Sequence, residues 1–186
     1  MAAPHPLYGG AMSMVIPEGM ADASAFREVP DHQEVFADAE KDQSIIVEIL
    51  EAIEHKAEKA LQYHFDEIAQ TNESEHSTVY KIEEIQLETI GEVYVLVGQQ
   101  EVAKFNEKAK ALDAVNSVCM FMALVRVPQH SADVLVSLNV PLKIGHSSSS
   151  FAATSGGPLP VDIEKSYSDF KLMLGTFRIN DYSLFA

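Results

Sequence analysis

The sequence is poor in cysteine, in basic residues and in long apolar runs. Cys119 is the single cysteine among 186 residues. That excludes an internal disulfide, and one thiol cannot build a zinc site alone. Lys and Arg number 13 against 28 Asp and Glu, a formal charge of -15. The shortage of cations argues against nucleic acid, because neutralising phosphates needs a basic face. It argues equally against attraction to anionic lipid. No apolar run approaches the roughly 20 residues that span a bilayer. The opening MAAPHPLYGG has neither a basic nor an apolar signal region, so no secretory signal is expected. There is no Gly-rich phosphate loop after a strand, no HExxH pair and no GxSxG elbow. What these absences leave is an intracellular soluble protein.

Apolar content is ample. At 47% hydrophobic residues the chain is no disordered tail, and its length suits one domain with a real core, expected over 1–186. The acidic excess is uneven. Residues 1–100 hold 20 acids and 5 bases, whereas 101–186 hold 8 of each. An acidic half either keeps molecules apart in solution or offers a face to a basic partner.

Periodicity gives the elements. Leu7-Tyr-Gly-Gly reads as a turn before a short strand, with Leu7 and Tyr8 as core anchors and Pro17 as its end. Asp22-Ala-Ser suggests one helical turn. Residues 43–50 are β-branched and read as a strand buried on both faces, with a helix as the alternative. From Glu51 a helix is expected to about Gln70, with Ile53, Ala57, Leu61, Phe65 and Ile68 on one side. Four strands follow, at 78–87, 93–105, 118–125 and 133–140. A phase change at Glu83-Glu84 suggests a bulge, and Pro128–Ser131 a hairpin connection. Residues 143–160, with Ser147 to Ser150 and Gly156-Gly157, read as a flexible linker. The spacing of Ile163, Tyr167, Phe170, Leu174 and Phe177 predicts a final helix lying on a sheet. Sequential strands with short connections, flanked by helices, make an α+β fold: an antiparallel sheet sandwiched between helices.

Few residues look chemical. Cys119 lies in the most apolar run and reads as a buried structural thiol. His64 reads as packing and His55 as solvated. The segment 27–34 stands apart: Asp31, Gln33 and Glu34 crowd a short stretch after Pro30, and Glu28 lies just upstream. Polar groups held out between a proline and the Val35-Phe36 anchor suit a binding loop, although a plain turn with an Asp cap has the same composition. An acidic or metal-site enzyme using Asp31, His32 and Glu34 is the rival reading.

Several blocks resemble the Ran guanine nucleotide release factors, small Ran-binding proteins of nuclear import. They are Leu7-Tyr-Gly-Gly-Ala11, Phe26-Arg-Glu-Val-Pro-Asp-His-Gln-Glu-Val35, Asp42-Gln-Ser-Ile-Ile-Val-Glu-Ile-Leu-Glu51, Tyr63-His-Phe65, Ala123-Leu-Val-Arg126, Asp133-Val-Leu-Val136, Asn139-Val-Pro141 and Asp181 to Phe185. The resemblance spans almost the whole chain, and the Pro-Asp-x-Gln-Glu block is its specific part. It implies a PsbP-like sandwich with about six antiparallel strands. It implies a non-catalytic factor that binds the GTPase Ran and promotes nucleotide release, without cofactor or metal. In the family the acidic pair of that block is tied to Ran binding, and here it falls on Asp31 and Glu34. Gln33 and Glu28 are the neighbouring candidates. The resemblance further implies a monomer, mainly nuclear and otherwise cytoplasmic, and leaves open a second Ran-binding protein as partner.

Overall fold

The apolar run at 118–125 lies in an interior strand of a sheet covered on both faces. The computed structural model describes residues 3–103, 114–154 and 161–186. In chain order the elements are β1 (His5–Leu7), β2 (Met12–Met14), β3 (Ala21–Asp22), β4 (Gln33–Asp38), β5 (Gln43–Glu51), α1 (Ala57–Thr71), β6 (Ser77–Leu87), β7 (Gly91–Ala103), β8 (Val115–Val127), β9 (Ala132–Lys143), α2 (Ser149–Ala153), α3 (Ile163–Leu174) and β10 (Arg178–Ile179). The main sheet runs β3-β4-β5-β9-β8-β7-β6 and is antiparallel throughout. A small antiparallel sheet, β1-β2-β10, joins the two ends of the chain.

Alternation along β8 sorts the two cores, because successive strand residues point to opposite faces. Met120, Met122 and Leu124 pack with Ala60, Leu61 and Phe65 of α1. Cys119, Phe121, Ala123 and Val125 pack with Phe170, Met173 and Leu174 of α3 and with Leu7, Met12 and Met14 of the small sheet. Burying one such Leu or Phe contributes about 1.5–3 kcal/mol, so these two stripes hold the helices to the sheet. The α+β class therefore stands. The main sheet has seven strands where the resemblance implies about six, and its edge strand β3 is only two residues long.

Helix α1 begins at Ala57, six residues later than the spacing suggested. Glu51 ends β5, and residues 52–56 form a loop. Ile53 fits the helical period because it packs into the same core as α1 from that loop. Arg126 holds the loop, donating to the carbonyls of Ile53 (3.0 Å) and His55 (2.5 Å). The bulge in β6 falls at Tyr80, between Val79 and Lys81, and not at Glu83-Glu84. Val79 and Ile82 face α1 across it, and Ile85 and Leu87 take the opposite face by ordinary alternation.

Strand β7 is described to Ala103; Phe105, expected in it, lies outside the described residues, as do Gly156-Gly157, Pro158 and Pro160. Within the expected linker, residues 149–153 form α2. Ser148 and Ser150 are buried. Asn116 explains part of this: its amide donates to Ser148 Oγ (3.1 Å), and its carbonyl oxygen accepts from Gly145 N (2.9 Å).

Candidate functional site

Pro30 and Val35-Phe36 do fix a polar segment between them. Asp22 caps a single helical turn at Ala23–Ala25, accepting from Ser24 N at 2.8 Å. The chain then crosses to Pro30, whose carbonyl accepts from Gln33 N (2.8 Å) and closes a turn. Asp31 and His32 are exposed on that turn. Val35 and Phe36 are buried just beyond it. The Asp31 carboxylate has no hydrogen bond or ion pair among the described residues, and Glu28 is likewise exposed.

The remaining candidates diverge. Gln33 is paired with Glu48 across β4 and β5, and Glu34 with Val47. Adjacent strand residues point to opposite faces, so Gln33 and Glu34 part company. Gln33 Nε2 donates to Glu48 Oε1 at 2.6 Å, and His32 Nε2 lies 3.2 Å from the same oxygen. Glu34 turns toward the start of the chain, where its Oε1 accepts from Tyr8 N at 2.6 Å. The Tyr8 hydroxyl lies 2.9 Å from the His32 carbonyl oxygen and 2.8 Å from that of Val47. Burial, then the charges of Glu34 and Glu48, push the Tyr8 hydroxyl well above the usual phenol range. It therefore stays protonated and serves as a donor.

Asp31, His32 and Glu34 thus do not converge. Among the described residues no group of three His, Cys, Asp or Glu side chains is placed to hold a metal ion. Cys119 is buried, and burial pushes its thiol up to about 11, away from nucleophilic chemistry. A cleft of about 570 Å³ opens at the β3–β4 edge, lined by residues that include Ala21, Ala23 and Ala37. Phe26 stands at its lip, 81% exposed. Lys41 closes one end on Asp38 at 3.0 Å. Burial alone would raise the Asp38 carboxyl, but hydrogen bonds from Lys41 outweigh it and hold the group below its ordinary value.

Two participants were not legible as site residues. Tyr8 was expected as a core anchor, and Glu48 as part of a buried strand. A tyrosine next to two glycines did carry one signal, since a partly buried hydroxyl needs a partner. The identity of that partner depends on pairing across 24 residues.

Comparison with known proteins closes the picture. Residues 5–141 match the family model described as Ran-interacting Mog1 protein. The Ran guanine nucleotide release factor of Danio rerio is 35% identical over 190 residues, covering 97% of this chain and 98% of that protein. The nuclear import protein MOG1 of Saccharomyces cerevisiae is 34% identical, covering 97% and 83% respectively. Among solved structures, the Saccharomyces cerevisiae Ran-binding protein Mog1p aligns with a TM-score of 0.72 at 29% identity, covering 99% of this chain and 98% of its own. A mutant of protein Mog1 aligns with a TM-score of 0.71 at 30% identity and the same coverage.

Proposed function

Since the chain belongs to the Ran-interacting Mog1 family, we propose that it binds the small GTPase Ran and promotes release of its guanine nucleotide, in support of nuclear import. The names of its full-length relatives, release factors and nuclear import proteins, support this reading. It works in the nucleus and cytoplasm and makes no covalent change of its own. Release is differential binding: a factor that prefers Ran with weakened phosphate and Mg²⁺ contacts shifts Ran toward that state.

One observation carries the location of the site. Asp31 is an exposed carboxylate without a partner among the described residues, on a turn fixed at both ends, while its acidic neighbours Glu34 and Glu48 are already engaged. A preformed turn loses little entropy on binding, and a charge without a partner is free to take one. Asp31 is accordingly the direct contact for a Lys or Arg of Ran, with Glu28 beside it. Glu34 and Gln33 contribute as much through the shape of the turn as through contact. Asp31→Ala should weaken Ran binding by about 2–5 kcal/mol, as loss of a charge buried in an interface does. Titration of labelled Ran in its GDP, GTP and nucleotide-free forms measures this. Wild-type affinity in a folded Asp31→Ala protein would remove the turn from the interface.

A further inference from the structure

Two stretches far apart in sequence meet at one aromatic side chain. Tyr8 joins the Leu7-Tyr-Gly-Gly turn to the Pro-Asp-His-Gln-Glu turn by two contacts, its N–H to Glu34 Oε1 and its hydroxyl to the His32 carbonyl oxygen, and its hydroxyl also reaches the Val47 carbonyl oxygen in β5. We infer that Tyr8 is a positioning residue for Ran docking, holding the Pro30–Glu34 turn in the shape that presents Asp31 without itself needing to touch the partner. The inference rests on the proposed docking role of Asp31.

The backbone supports this role. Tyr8 has φ 48, the left-handed region that side chains other than glycine rarely adopt, and Gly9 and Gly10 follow at φ 66 and φ 97. Such a conformation persists only where surrounding contacts enforce it, and it concentrates at functional sites. The contacts here are strong. Leu7 is wholly buried on one side of Tyr8. On the other side, the Gly10 carbonyl accepts from Asn180 Nδ2 (3.0 Å), and the Ala11 carbonyl accepts from Asn180 N (2.8 Å) and Asp181 N (3.1 Å). The Tyr-Gly-Gly turn is therefore clamped between the core and the C-terminal segment, and Tyr8 passes that rigidity to β4.

The hydroxyl acts at the point where the turn becomes strand. The His32 carbonyl already accepts from Ile49 N at 2.9 Å, the bond that seats the turn on β5. The single hydroxyl proton of Tyr8 is shared between this oxygen and the carbonyl of Val47, the residue paired with Glu34. His32 is the immediate neighbour of Asp31. Fixing the His32 peptide limits the directions in which the Asp31 carboxylate can point, and a group held in its bound geometry binds more tightly.

Tyr8→Phe removes the hydroxyl and keeps the ring, the N–H and the bond to Glu34. It should weaken binding of labelled Ran about fivefold, the worth of one hydrogen bond. Amide exchange should quicken at His32–Glu34 and stay unchanged in β8 and β9. The Tyr8→Phe/Asp31→Ala double variant should bind no more weakly than Asp31→Ala alone, because Tyr8 acts through Asp31. A Cys119→Ala control in β8 should leave Ran affinity at the wild-type value. Wild-type affinity in Tyr8→Phe, with Asp31→Ala impaired, would reduce Tyr8 to a packing residue and overturn the inference. Additive losses in the double variant would overturn it too. Wild-type affinity in Asp31→Ala itself would instead bring down the docking reading, and this inference with it.

Discussion

Gly98 in β7 sits under the ring of Phe65, and a Cβ built there would lie 2.6 Å from a ring carbon. Phe65 is one of the buried side chains that seat α1, so the ring has little room to move. Gly98→Ala should cost about 1–3 kcal/mol of stability, the usual effect of overpacking, read from the midpoint of urea unfolding. An unchanged midpoint would mean that the helix rides up freely. Cys119 makes the opposite point. Its place in an unbroken apolar run already marked it as buried, and the structure agrees. With its thiol pushed up to about 11 by burial, it should resist alkylation at neutral pH in the native state and react readily in urea. The difference in legibility is physical. Burial of Cys119 follows from its own neighbours in sequence, whereas the need for glycine at position 98 comes from a helix more than 30 residues away.

At the scale of elements, the loop before α1 hangs on one ion pair. Asp133 is fully buried in β9, facing α1. Arg126 Nη2 donates to its Oδ2 at 3.2 Å, and Arg126 Nε lies 3.1 Å from Oδ1, off the line of a hydrogen bond. The nitrogen of His64 is 3.8 Å away and completes the surroundings of the carboxylate. Arg126→Ala should therefore cost about 3–5 kcal/mol, because it strands a buried charge and frees the Ile53 and His55 carbonyls together. A loss below about 1 kcal/mol would show that water replaces the guanidinium at little cost. Helix α3 is tied to β6 in a similar way. Tyr167 donates to Glu83, which also pairs with Lys81 and lies 3.9 Å from Lys171. The Lys81 bond first, then that from Tyr167, hold the Glu83 carboxyl below its ordinary value. The folded state thus binds this proton less well than the unfolded chain does. Its contribution is complete above the ordinary carboxylate pKa and fades as acid carries the pH down through the folded value. Acid unfolding of Glu83→Gln should show a shallower dependence in that range; an unchanged slope would remove Glu83 from the acid response. The start of α1 and the bulge at Tyr80 escaped the sequence for one reason. Ile53 reaches the core from a loop and Val79 reaches it from beside the Tyr80 bulge, and periodicity records which side chains are buried without recording how the chain brings them there.

Over the whole molecule, the sheet faces and both covering helices were visible in the apolar periodicities. The joining of the chain ends was not: β2 pairs with β10 through registers such as Ser13 with Arg178. Strands of two or three residues carry no alternation, and their partners lie at the far end of the chain. The candidate site divides along the same line. Its exposed tip, Asp31, was legible from composition and family resemblance, while the Tyr8 brace depends on a tertiary contact. The acidic half acts at this scale as well. All of the net charge of -15 falls within residues 1–100, which also include the proposed docking turn. A field of that sign should speed encounter with a basic surface, so the association rate with Ran should fall as ionic strength rises. A salt-independent rate would leave the excess acid as a solubility device. The most direct measurement of the central claim is release of labelled nucleotide from Ran, followed with the wild-type protein and with Asp31→Ala. The wild type should accelerate release, and Asp31→Ala at equal concentration should lose most of the acceleration while remaining folded. Equal acceleration by both proteins would contradict it.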